Sequence, residues 1–216
     1  DLVRSRGLGD VYKRQVFQQL YNVIDSIIVG NFLGKEALSA VGASFPVMFA
    51  LISLVIGIAS GSTIIISQYF GAKDFQKVKI AIDTMYVVIF VASILISIIG
   101  ISFSEDIFRL IELPETIIPQ AKTYLNIILA GIIMMFGSSG TNAVLRGLGD
   151  SKTPLYFLVF ASILNIIFDL LFVLVFKLGI EGVAIATVLS QAIAFLSAVV
   201  YLNTVSYTHL RAHETV

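Results

Sequence analysis

Six stretches of this chain are long and apolar enough to cross a bilayer, which leaves few folds open. A crossing helix needs about 20 largely apolar residues to span about 30 Å of hydrocarbon. Residues 16–33, 38–67, 80–104, 121–145, 155–176 and 182–203 each reach or approach that length. Backbone N–H and C=O groups find no water in lipid, so each stretch must be a helix. The expected fold class is all-α, a polytopic membrane helix bundle with six transmembrane helices. Composition agrees: 57% of residues are hydrophobic and 13% charged, against about 25% charged in a soluble domain.

The two ends carry a different signal. Residues 5–15 (SRGLGDVYKRQ) and 205–214 (VSYTHLRAHE) can be encoded by opposite strands of one DNA segment. Natural termini have no reason to share an oligonucleotide. Residues 1–15 and 205–216 are therefore expected to be non-native, adapter-derived segments, and the native part is expected to be 16–204. Both histidines, His209 and His213, fall in the excluded tail.

Charge sorts the short connections. The second and fourth, 69–79 and 146–154, carry Lys73, Lys77, Lys79, Arg146 and Lys152. The other three, 34–36, 105–120 and 177–181, carry Lys35, Arg109 and Lys177. The positive-inside rule then puts 69–79 and 146–154 in the cytoplasm of a multi-pass inner (plasma) membrane protein. The third connection reads as a short interfacial helix stopped before Pro114. The formal net charge is zero, so nucleic-acid binding has no electrostatic footprint. With no cysteine there is neither a disulfide framework nor a thiolate metal site.

Polar groups inside the spans carry the functional information. Asp25 and Asp169 are the ionisable residues well inside a span; Asp83, four residues after Lys79, reads as interfacial. A carboxylate at a helix centre costs about 2.5–3.5 kcal/mol on insertion scales, so it faces a bundle interior or a cavity. Counting back from the outer ends of spans one and five, both acids lie about 10–12 Å deep. Thr187 enters span six at about 8 Å, and Asn165 lies one helical turn before Asp169 on the same face. Two carboxylates, an amide and a hydroxyl at a common depth form an all-oxygen set suited to Na⁺. They suit a proton equally, since burial and a like charge favour the neutral acid.

Weaker patterns accompany these. Gly57 and Gly61, and Gly137 and Gly140, are spaced for close helix approach. Pro46 reads as a kink or a first-turn residue of span two. The run Leu33-Gly34-Lys35-Glu36 matches Leu178-Gly179-Ile180-Glu181, each after an Asn…Asp pair, Asn22/Asp25 and Asn165/Asp169. A repeated hairpin is therefore expected, as transporter cores often contain.

Five segments resemble signatures of the multidrug and toxin extrusion (MATE) family: QQLYNVIDSIIVGNFLGKEALSAVG (18–42), SQYFGAKD (67–74), LRGLGDSKTP (145–154), LNIIFDLLFV (164–173) and GIEGVAIATVLSQ (179–191). That family has twelve spans in two six-helix lobes. The resemblance implies that 16–204 is an N-lobe, lacking its C-terminal lobe as partner. It also implies a cation site at Asp25, Asn165, Asp169 and Thr187, the residues that depth selects. The implied activity is antiport coupled to H⁺ or Na⁺, exporting amphipathic, cationic drugs or toxins, with no cofactor beyond the coupling ion. Other readings are a lipid-linked precursor flippase, an intramembrane enzyme or a structural membrane subunit. No Arg or Lys lies deep in a span to hold a pyrophosphate, and there is no HExxH motif and no histidine in a span.

Overall fold

A computed structural model describes residues 23–214, with side chains through Thr204. The adapter-like N-terminal segment lies outside the described residues, as do the side chains of the tail. Every regular element among the described residues is a helix. Helix α1 (Val23–Leu33) ends in a π turn at Val29–Leu33. It is followed by α2 (Lys35–Gly71), α3 (Phe75–Ser102), α4 (Ser104–Leu110), α5 (Ile118–Ala130) and α6 (Ile132–Gly147). Helix α7 (Thr153–Leu170) runs on through a second π turn (Leu171–Val175), and α8 (Gly179–Glu214) closes the chain.

These elements are the expected spans, with three corrections. Span four is not continuous: α5 and α6 meet at a 50° bend. Gly131 makes the bend, and a Cβ there would collide with Val188 Cγ1 of α8. The neighbouring helix thus occupies the notch, which hydropathy cannot register. Helix α2 is longer than expected, 37 residues with Pro46 well inside it. That is about 55 Å at 1.5 Å per residue, so α2 tilts or projects beyond the hydrocarbon. The glycine pairs also divide. Gly57 and Gly61 have nothing within 4 Å of a built Cβ, whereas Gly137 and Gly140 lie against Phe195 and Ile89 at 2.7 Å. Close approach belongs to α6 and not to α2.

Local chemistry sets the boundaries. The α2–α3 connection shrinks to a tight turn in which Lys73 takes φ 58°. Asp74 caps α3 there, its Oδ1 accepting the Lys77 N–H at 3.1 Å, which satisfies one of the orphan donors at a helix start. At the start of α7, Asp150 Oδ1 accepts the N–H groups of Lys152 (3.1 Å) and Thr153 (3.0 Å). The expected interfacial helix is α4. Its Glu105 takes Lys122 of α5 at 2.8 Å and Arg109 at 3.0 Å. These cations, Lys122 foremost, hold the Glu105 carboxyl below the usual range.

The layering follows from burial. The most apolar window of α8 is 39% buried and those of α2 and α3 are 17% buried. Helix α8 therefore runs through the middle, packed on α5, α6 and α7, while α2 and α3 form a flank. Large apolar side chains there, such as Phe49, Ile56, Val87 and Ile98, are exposed. In water such a surface would be a liability; in lipid it is the required outer face. The chain is a multi-pass membrane protein.

Candidate cation site

Helices α1, α5, α7 and α8 converge beside the two π turns that end α1 and α7. Asn165 and Asp169, four residues apart on α7, share one helix face and are both 0% exposed. Asp25 of α1 and Thr187 of α8 are each 8% exposed. The structure brings all four residues together. The Asp25 and Asp169 carboxyls meet within hydrogen-bonding contact. The Asn165 amide, oriented to satisfy its neighbours, donates from Nδ2 to Asp169 Oδ2 at 3.0 Å. Its Oδ1 accepts the Thr187 backbone N–H at 3.1 Å. The Thr187 hydroxyl donates to Val183 O at 3.1 Å, and Ser190 Oγ donates to Thr187 O at 2.9 Å.

Two oxygens remain outside this network. Asp25 Oδ1 and Asp169 Oδ1 are buried without a hydrogen-bond partner. A buried polar atom in that state costs about 1–3 kcal/mol, and two carboxylates in contact cannot both keep uncompensated charge. The arrangement can therefore do one of two things. It can share a proton between the acids, or hold a small hard cation between them. Among the described residues no group of three or more His, Cys, Asp or Glu side chains is assembled. Any metal ion here would rest on the two carboxylates with Asn165 and Thr187 completing an oxygen set.

Sequence reasoning missed two features. Tyr124 of α5 lies within electrostatic reach of both acids, packed among Val29, Ile128, Val173 and Val183. An aromatic residue in an apolar run reads as core, and Tyr124 is core as well. The second feature is the pair of π turns, one just after each acid along the chain. Both follow an acid and precede the repeated Leu-Gly-x-Glu run, so the repeat is the signal that could have found them.

Comparison with known proteins decides the family. A sequence profile of the MatE family matches residues 14–171. The chain belongs to the MatE family. Among its relatives is the probable multidrug resistance protein YpnP of Bacillus subtilis (strain 168), 40% identical over 86% of this chain and 42% of the relative. Another is a FAD transporter of Shewanella oneidensis, 29% identical over 81% of this chain and 39% of that one. Solved MATE transporters of the MOP superfamily share the fold. An inward-facing one aligns with TM-score 0.82 at 30% identity, over 86% of this chain and 42% of its own. An outward-facing one aligns with TM-score 0.81 at 28% identity, over 92% and 43%. The chain thus spans about two-fifths of the length of the relatives it matches.

Proposed function

We propose that this MatE-family chain is the N-terminal lobe of a cation-coupled antiporter. In this reading Asp25 and Asp169, backed by Asn165 and Thr187, bind the coupling ion, H⁺ or Na⁺. The exported substrate is an amphipathic organic cation. The observation that carries the reading is the buried contact between the two carboxyls, each with one oxygen outside the hydrogen-bond network.

A coupling ion does work only if it binds two conformations unequally. A proton or Na⁺ between the acids removes buried like-charge repulsion, which favours the arrangement that keeps α1 against α7. Loss of the ion lets Asp25 and Asp169 separate. Asn165 discriminates between the two ions. With a proton on the pair, its Nδ2 keeps donating to Asp169. With Na⁺, the amide must turn to offer Oδ1, giving up the Thr187 N–H. The near-equal fit to inward-facing and outward-facing relatives supports a lobe that moves largely as a unit.

The experiment uses the complete gene in vesicles, measuring ethidium efflux under an imposed Na⁺ or pH gradient. Asp25→Asn and Asp169→Asn should each reduce gradient-driven efflux to the level of empty vesicles, with membrane insertion unchanged. Wild-type efflux by both variants would overturn the assignment. Flavin dinucleotide export in place of ethidium would replace the cationic substrate with the anionic one named for the Shewanella relative.

A further inference from the structure

A groove on the flank lies away from the acids. It holds about 440 Å³ between α2 and α3, and none of its lining residues belongs to α1, α7 or α8. Ile58, Ser62, Ile65 and Tyr69 form one stripe on α2, and Lys77, Ile80, Thr84 and Val88 face them from α3. From Ile58 to Tyr69 the groove runs about 16 Å. That is close to half of the roughly 30 Å hydrocarbon thickness, the depth of one leaflet.

The lining tells what chemistry the groove accepts. Ser62 and Thr84 donate their hydroxyl protons to Ile58 O (2.9 Å) and Ile80 O (2.7 Å) of their own helices. The shaft therefore presents hydrocarbon, with little to hold a polar ligand. Its mouth is different. Lys77 Nζ lies 5.6 Å from the centre of the Tyr69 ring and 2.9 Å from Asp74 Oδ2. Tyr at the membrane boundary and Lys reaching to it are the usual interfacial anchors. The turn beside the mouth and the start of α3 together hold Lys73, Lys77 and Lys79 against Asp74, and Asp83 does not line the groove. This is the end that the Lys/Arg distribution assigns to the cytoplasm, where the leaflet is anionic and attracts such clusters.

We propose that the α2–α3 groove binds an anionic glycerophospholipid of the cytoplasmic leaflet. One acyl chain lies along the two stripes, and the phosphate sits at Lys77 and the Tyr69 hydroxyl. Lys73 adds positive charge at the rim. The site is separate from the carboxyl pair and does not depend on its coupling role.

The 216 residues contain no tryptophan, so with any tryptophan elsewhere in the complete protein changed to phenylalanine a single introduced one reports locally. Ile65→Trp and Val88→Trp, both at exposed groove positions, are reconstituted as the full chain in nanodiscs. Brominated phosphatidylglycerol or brominated phosphatidylcholine is then titrated as quencher. Half-quenching should need about fivefold less of the anionic lipid than of the zwitterionic one. Ile98→Trp, elsewhere on α3, should not discriminate between them. Adding Lys73→Gln and Lys77→Gln should make the two lipids equal in the groove, and Lys77→Arg should keep the preference. Equal quenching with the lysines intact would overturn the proposal. So would the absence of quenching by either lipid, since protein would then fill the groove. Either tryptophan variant alone suffices if the other fails to fold.

Discussion

Asp25 on α1 and Asp169 on α7 are each followed by a π turn and then by a glycine at positive φ that opens the next helix. Gly34 comes nine residues after Asp25 and Gly179 ten after Asp169. The two hairpins differ in what surrounds this shared device. Helix α8 runs through the bundle and α2 lies on its flank. Asp169 has no exposure while Asp25 keeps a little. The Asn165–Thr187 bonds brace the α7–α8 hairpin from within. On α1 the one amide among the described residues, Asn31, is exposed, and Asn22 lies outside them. The local device sets the depth of an acid, and the surrounding helices decide how firmly it is held. Asp169 belongs to the fixed wall of the site, and Asp25 rides on an edge element.

The turns sharpen this contrast. Gly34 sits at φ 90°, ψ −178°, a region only glycine occupies comfortably, at a cost of about 1–3 kcal/mol for other residues. Gly179 sits at φ 62°, where a left-handed alanine costs about 1–2 kcal/mol. Neither glycine has anything within 4 Å of a built Cβ, so the substitutions test conformation alone. Gly34→Ala should lose about 2–3 kcal/mol in thermal unfolding followed by circular dichroism. Gly179→Ala should lose about 1 kcal/mol. Equal losses would mean that the two turns are interchangeable and the repeat is closer than the backbone indicates.

Next in size is the brace itself. Asn165→Ala leaves Asp169 Oδ2 without its amide donor and removes the α7 link to Thr187 on α8. Hydrogen bonds to charged groups contribute about 1.5–3 kcal/mol in water-soluble proteins, but those between membrane helices average nearer 0.6. We expect a loss of about 1–2 kcal/mol. A loss near zero would mean that the bundle holds Asp169 by packing alone, and the two acids would be equally mobile.

Much of this architecture is legible in the amino-acid sequence. The six apolar stretches are long enough that tertiary context cannot change their class. Asp25 and Asp169 stand out because a carboxylate in lipid is costly, and their matched depth follows from helical rise. The bend at Gly131 is not legible, because it depends on Val188, 57 residues away. Gly57 and Gly61 mislead for the same reason: spacing permits a close approach but cannot supply the partner. The π turns are a slip in backbone pairing, and only the repeated Leu-Gly-x-Glu run after each acid marks where they lie. Tyr124 is hidden because its ring serves the core while its electrostatic reach serves the site.

The smallest effect lies at the opposite end of the α7–α8 hairpin. Asp150 caps α7 through the Lys152 and Thr153 N–H groups, and Tyr201 of α8 donates to its Oδ2 at 3.4 Å. The Tyr201 hydroxyl also accepts from Thr153 Oγ1 at 3.3 Å, and its ring meets Phe157 edge-on at 5.9 Å. Partial burial pushes the Asp150 carboxyl up, but the bonds from Thr153, Lys152 and Tyr201 outweigh it and hold the acid below its usual range. A depressed folded value means the stabilisation is present above the unfolded carboxyl value, about 3.9, and is lost as pH falls through the folded one. Asp150→Ala should therefore lower stability by about 1 kcal/mol at neutral pH. The gap to wild type should close as pH drops below about 4. Tyr201→Phe should lose less and keep the pH dependence, since the two N–H bonds remain. If Asp150→Ala shifts stability equally at pH 7 and pH 3, the cap acts through shape and not through charge. The α7–α8 hairpin would then be pinned electrostatically at its outer end alone.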